Sequence, residues 1–323
     1  MKKIFFFFLI SSPLFAQKFT AEELTQWRNQ SKQVTIIRDT WGIPHVYGKT
    51  DADAVFGFLY AQCEDDFERV EMNYITAVGR LAEAEGESKL YHDLRTRLFY
   101  DSVQAVTNYG DSPAWLKRLC DGFAAGVNYY LYTHPQVKPK LLTRFQPWMP
   151  FLFSEGSIGG DIESISVNKL KEFYGSGDVV FEREEVDHND QEPEPRGSNG
   201  FAIAPSRSAT GNALLLINPH TSFYFRPEVH VNSDEGLNAY GAVTWGQFFV
   251  YQGFNEHCGW MHTSGQADVM DEYLETTLKR NDSLLYKYGT EYRAVTSKKI
   301  KLAYKDGDKK SYKEFTAMFT HHG

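Results

Sequence analysis

The feature that most constrains this chain is a change of character at residue 198. Upstream, apolar residues recur at helical spacing over long stretches. Downstream, short β-branched and aromatic runs alternate with Gly, Asn and Asp turns. Between them lies Glu182-Arg183-Glu184-Glu185-Val186-Asp187-His188-Asn189-Asp190-Gln191-Glu192-Pro193-Glu194-Pro195-Arg196, acidic, proline-bearing and almost free of apolar residues. Such a segment cannot bury enough surface to offset its ordering entropy and reads as a solvated spacer over 176–197. A chain of this kind is α+β, with helices gathered before the spacer and strands after it.

Within the first part, Thr20-Ala21-Glu22-Glu23 is an N-cap followed by acidic residues, opening a short helix in 19–31. Residues 34–38 form a β-branched strand, and Trp41-Gly42-Ile43-Pro44-His45-Val46 an extended turn. A helical pattern starts after Thr50 and runs to Ile75; further helices are expected over 114–133 and 162–173. In the second part, apolar runs at 201–204 and 213–217 flank Thr210-Gly211-Asn212 and predict a hairpin buried on at least one face. More strands are expected over 228–232, 237–244 and 259–263.

Composition excludes several classes. A net charge of −8 with no basic stripe offers no footprint for nucleic acid. Met1-Lys2-Lys3, a short apolar run over 4–10 and Ser11-Ser12-Pro13-Leu14-Phe15-Ala16-Gln17 have the order of a secretory signal peptide, residues 1–17. The run is too brief to span a bilayer as a folded helix, so an exported protein, periplasmic or secreted, is expected, with no stable membrane span; an uncleaved N-terminal anchor is the alternative. The three cysteines, Cys63, Cys120 and Cys258, have no metal-binding spacing and read as small buried hydrophobes.

The spacer ends at Gly197-Ser198-Asn199. That triplet is also an ordinary turn. It has a chemical reading as well: glycine lets the backbone bring the Ser198 hydroxyl onto the Gly197 carbonyl, so an N-to-O acyl shift and hydrolysis would cut the chain there. The cut frees an α-amine on Ser198, whose ordinary value of about 7.7–8.0 suits it to serve as base for its own hydroxyl.

Other blocks make the reading specific. Ile37-Arg38-Asp39-Thr40-Trp41-Gly42-Ile43-Pro44-His45-Val46, then Ala61-Gln62 with Gly79-Arg80-Leu81-Ala82-Glu83 and Gly86, then Phe123-Ala124-Ala125-Gly126-Val127-Asn128, then Pro147-Trp148, stand in an order that resembles the penicillin acylase family of Ntn hydrolases. Gly197-Ser198-Asn199 falls at the family's processing site. The resemblance implies an Ntn-hydrolase αββα sandwich, incomplete in this chain. Residues 18–175 would be a helical α-subunit region and 198–323 the start of the β-subunit, two chains of one precursor. It also implies hydrolysis of a linear amide in a small-molecule N-acyl substrate, of penicillin or N-acyl-homoserine lactone type, with no organic cofactor.

By the same resemblance Ser198 is the nucleophile, and Gly197 and Ser198 flank the autoproteolytic cut. Asn218-Pro219-His220 is similar to a triplet of the lactone acylases that sets His220 beside the nucleophile. His262-Thr263-Ser264-Gly265 resembles the oxyanion-hole block, which assigns a main-chain donor to Ser264, with Gly265 its neighbour. Asp268-Val269-Met270-Asp271 matches the calcium-binding block, implying a structural Ca²⁺ held by Asp268, Met270 and Asp271, with Glu163, or else Asp161, from the helical half; solvated acids on a turn are the plainer reading. The sequence departs from the family at Gly200-Phe201, where an aromatic usually follows Ser-Asn sooner. The family's later Asn, which completes the oxyanion hole, has no position in these residues. A secreted binding protein that keeps the fold without catalysis is the rival reading.

Overall fold

The computed structural model describes residues 19–153, 162, 165–176, 197–220, 226–263, 271 and 273–323. The expected signal peptide and nearly all of the spacer lie outside them.

The chain opens with α1 (Ala21–Ser31), capped reciprocally: the Thr20 hydroxyl accepts from Glu23 N at 3.1 Å and the Glu23 carboxylate from Thr20 N at 2.8 Å. β1 (Val34–Arg38) and β2 (Pro44–Gly48) then form an antiparallel pair. Next comes α2 (Asp51–Ala77), started by a second capping box between Thr50 and Asp53. Its backbone leaves helical geometry at Asp66, whose carboxylate accepts from Arg69 N at 3.0 Å and restarts the helix as a new cap. Shorter helices α3 (Leu81–Glu85), α4 (Leu90–Phe99) and α5 (Ser102–Asp111) lead to α6 (Ala114–Thr133).

The first half of α2 is apolar nearly all round because it is sandwiched. One side meets β1 and β2, so tightly that a Cβ on Gly57 would overlap Val34 and Val46. The other side meets α6, where Gly122 and Gly126, one turn apart, let the helix backbones touch at Ala52 and Phe56. Tyr74, Phe58, Phe123 and Phe145 are fully buried there. α7 (Val167–Ser176) begins later than the expected 162–173 helix, because the Ser166 hydroxyl caps it by accepting from Lys169 N at 3.3 Å.

After the spacer, β3 (Ser198–Ile203) and β4 (Leu214–Pro219) make the expected hairpin, in register Ser198 to Pro219 and Asn199 to Asn218. Its expected burial does not occur. β3 and β4 form a two-stranded sheet of their own, and Phe201, Ile203, Leu214 and Leu216 stand exposed. β5 (Glu228–Ser233), β6 (Asn238–Ala242), β7 (Gln252–Phe254) and β8 (Gly259–Trp260) follow. They join β1 and β2 in one six-stranded sheet of order β1-β2-β5-β6-β7-β8, with β2 and β5 parallel and His45 opposite His230. The helical region thus supplies two strands to the sheet of the following region.

The remainder is β9 (Thr277–Arg280), β10 (Ser283–Tyr288) and β11 (Glu291–Ala294) in one small sheet, and the long hairpin β12 (Thr296–Asp306) and β13 (Lys309–Phe319). That hairpin closes a second core, Ile300, Leu302, Phe315 and Ala317 against Ala82, Leu90 and Leu94. Cys63 and Cys120 are buried as expected, and burial pushes both thiols up, Cys120 to about 12; Cys258 is exposed instead. Among the described residues no helix is long and apolar enough to cross a membrane.

Candidate active site

Ser198 stands at the first position of β3, directly after Gly197. Gly197 adopts φ of +107°, a conformation that L side chains rarely take, and so turns its carbonyl back towards the serine. The Ser198 hydroxyl donates to that carbonyl oxygen at 2.7 Å. Ser198 is therefore in contact with the one peptide group whose cleavage would leave it N-terminal.

Cross-strand pairing brings His220, at the end of β4, to the same place. Two parts of His220 act differently. Its main-chain N–H points to the Ser198 hydroxyl oxygen at 3.4 Å, while its ring Nε2 lies 3.3 Å from the Asn199 side-chain amide. With the amide as donor, Nε2 is the acceptor and Nδ1 carries the ring proton. That Nδ1 faces the junction: a Cβ added to Gly197 would stand 3.9 Å from it. The expected pairing of Ser198 with His220 is present, with the backbone rather than the ring turned to the hydroxyl.

The strand β8 and the residues after it form the other wall. Thr263 donates its hydroxyl to the Ser198 carbonyl at 3.1 Å and fixes the serine's backbone from the side of the expected oxyanion block. His262 is held in turn, its carbonyl accepting from Gln252 at 3.0 Å and its ring 4.4 Å from that of Tyr251. The departure at Gly200 has a local cause: the Met261 thioether occupies the volume a Cβ would need there. Gly259 likewise makes room for Leu215 of β4. The hairpin is thus seated on the large sheet through two glycines. The sequence singles out neither Thr263 nor Met261: Thr263 lies inside the oxyanion block, where Ser264 is the expected donor, and Met261 stands just before it.

Ser264, Gly265, Asp268, Met270, Glu163 and Asp161 lie outside the described residues. Of the expected calcium ligands only Asp271 is described. Its carboxylate is exposed and accepts from the Tyr273 phenol at 3.3 Å, and this neighbouring charge pushes the phenol up. An exposed carboxylate is a donor of the type a hard cation takes, and Asp271 is the one member of the candidate set that is described.

A family model described as penicillin amidase matches residues 33–323. The chain belongs to the penicillin amidase family. Its α+β fold is of the Ntn-hydrolase acylase type expected from the sequence. Among similar members of this family is acyl-homoserine lactone acylase QuiP of Pseudomonas fluorescens, 24% identical over 82% of this chain and 38% of its own. Another is penicillin acylase 2 proenzyme of a Pseudomonas species, 26% identical over 91% of this chain and 43% of its own. The chain spans about two fifths of the length of these relatives. A solved structure, thermostable penicillin G acylase from Alcaligenes faecalis, matches 42% of this chain and 77% of its own at 18% identity and a TM-score of 0.37.

Proposed function

We propose that this penicillin amidase family chain belongs to an exported, self-processing amidase that hydrolyses a linear amide through Ser198. The observation that carries the reading is the 2.7 Å hydrogen bond from the Ser198 hydroxyl to the Gly197 carbonyl across a left-handed glycine. In the first reaction Ser198 Oγ adds to the Gly197 carbonyl carbon, the C–N bond breaks, and the departing nitrogen takes the hydroxyl proton. Water then hydrolyses the resulting ester, leaving a carboxylate on Gly197 and a free amine and hydroxyl on Ser198.

In turnover that amine accepts the hydroxyl proton, directly or through one water, as Oγ attacks the acyl carbonyl. The leaving amine takes a proton, and water releases the acid from the acyl-enzyme. Main-chain N–H groups at Ser264 and its neighbour receive the developing oxyanion charge. The His220 N–H and the Thr263 hydroxyl hold the serine in place. The names of the relatives support an N-acyl substrate of penicillin or homoserine-lactone type. A calcium ion at Asp268, Met270, Asp271 and Glu163 would tie the helical region to the region after the cut.

Mass spectrometry of the full-length exported protein, expressed with and without a calcium chelator, tests this. The expected result is two chains, the second beginning at Ser198, with cutting impaired under chelation. A single intact chain would support the non-catalytic binding protein instead. Cutting indifferent to chelator would reduce the acidic block to a solvated turn.

A further inference from the structure

Away from Ser198, the segment leading into β9 meets the residues that follow β13. Glu275 there presents a carboxylate oxygen, Oε1, that has essentially no solvent access and, among the described residues, accepts no hydrogen bond. A buried acceptor left without a donor costs about 1–3 kcal/mol, so such an atom calls for a partner. His322 Nε2 stands 3.9 Å from it, too far for a hydrogen bond. His321 completes the group: one ligating atom from each of the three residues lies within 4.8 Å of the others.

The two rings are arranged by aromatic neighbours. His322 stacks on Tyr273 with ring centroids 3.6 Å apart, and His321 lies parallel to Tyr286 at 5.4 Å and edge-on to Tyr288 at 4.6 Å. The two imidazoles are themselves 3.8 Å apart, and both residues are exposed on their outer side. An ion can therefore reach them from solvent while Glu275 closes the inner side.

We propose that Glu275, His321 and His322 bind one divalent transition-metal ion of the zinc class. Two imidazoles and one carboxylate are a donor set that suits zinc and its neighbours, whereas calcium selects oxygen alone. Ligand atoms on a tetrahedral ion with bonds of about 2.0–2.2 Å sit about 3.3–3.6 Å apart, so the exposed rings need to close by about 1 Å. The site is separate in chemistry from the acidic block at Asp271, although Tyr273 touches both, stacking on His322 and donating to Asp271. The bound ion would join the start of β9 to the end of β13.

The test is a titration of the full chain, freed of metal, with Co²⁺ followed by visible absorption, then with Zn²⁺ in competition. One equivalent is expected to saturate the signal, Zn²⁺ to displace it, and excess Ca²⁺ to leave it unchanged. Glu275→Gln and His322→Gln should each weaken binding by at least about tenfold, while Ser198→Ala should bind normally, which separates this site from the proposed chemistry. His321→Gln, at an exposed ring, gives the same reading should Glu275→Gln fail to fold by circular dichroism. Absence of saturable uptake, uptake unaltered in the histidine variants, or displacement by Ca²⁺ would each overturn the proposal.

Discussion

Two regions of the molecule behave in opposite ways. Where α2 meets the loop between β6 and β7, the described polar contacts are paired and mostly buried. Gln62 donates to the Gln247 carbonyl and accepts from Gly246 N, both at 2.8 Å; Tyr74 donates to the Gly246 carbonyl at 2.9 Å and Asn73 to the Trp245 carbonyl at 2.8 Å. At the Ser198 hairpin, by contrast, the apolar side chains stand exposed and the hydrogen bonds lie near the surface. Helix and loop are thus bound by interactions that do not pass through residue 198. A cut at Gly197-Ser198 can then alter the hairpin while the two regions stay joined by the six-stranded sheet and the α2 seam.

The contrast is broken most completely by Ser198→Ala. Without the hydroxyl no acyl shift is possible, so processing should fall from complete to none, while the melting temperature, set by the seam, stays where it was. Two-chain maturation in this variant, read by mass spectrometry, would remove Ser198 from the mechanism. Gly246→Ala attacks the other region. Gly246 has φ of +92°, and an added Cβ would stand 2.8 Å from a Tyr74 ring carbon. Left-handed strain and overpacking together should cost about 2–4 kcal/mol, measurable as a shifted denaturation midpoint. A shift under about 0.5 kcal/mol would show that the seam is looser than its hydrogen bonds suggest.

How far each region is legible in the sequence follows from the same contrast. The helices α2 and α6 have caps and periodic apolar faces, which are local signals, and the sequence places both. That β1 and β2 leave the helical region to enter the large sheet is not local: it depends on β2 pairing in parallel with β5 across the whole spacer. Ser198 and His220 are read from the sequence through motif resemblance, at the spacer's end and at Asn218-Pro219-His220, and the hairpin register, with Ser198 opposite Pro219, is what brings them together. Thr263 reaches the serine, and Met261 reaches Gly200, from the segment after β8, a meeting set by tertiary packing and not by local spacing. The exposed face of the hairpin also escapes a pattern reading, since two apolar runs look alike whether or not another layer covers them.

A smaller effect is expected of His220→Gln in already processed protein. The ring meets Asn199, and only the main-chain N–H meets the serine hydroxyl, so the substitution should leave the nucleophile's own contact intact. Activity should fall about tenfold, or about 1.4 kcal/mol of barrier. With the Ser198 amine as base, the rate is lost as pH falls through the amine's range, near about 7.7–8.0 in water, because protonation removes the acceptor. That acidic limb should persist in the variant. Its disappearance would make the ring the base and the amine a bystander.

The least effect should come from Leu216→Ser, on the face of β4 turned away from Leu215, which packs against Gly259. Leu216 is 50% exposed and pairs with Phe201, itself 62% exposed, so truncation opens no cavity and removes little apolar surface from a dry environment. In this chain the unfolding free energy should change by less than about 0.5 kcal/mol, as at ordinary surface positions. The backbone pairing that sets Ser198 beside His220 does not depend on the leucine side chain, so processing should proceed at its usual rate. A loss above about 1.5 kcal/mol would be the size expected of a buried leucine. The hairpin would then be covered in solution, and the division between a dry seam and an open junction would have to be redrawn with the hairpin on the buried side.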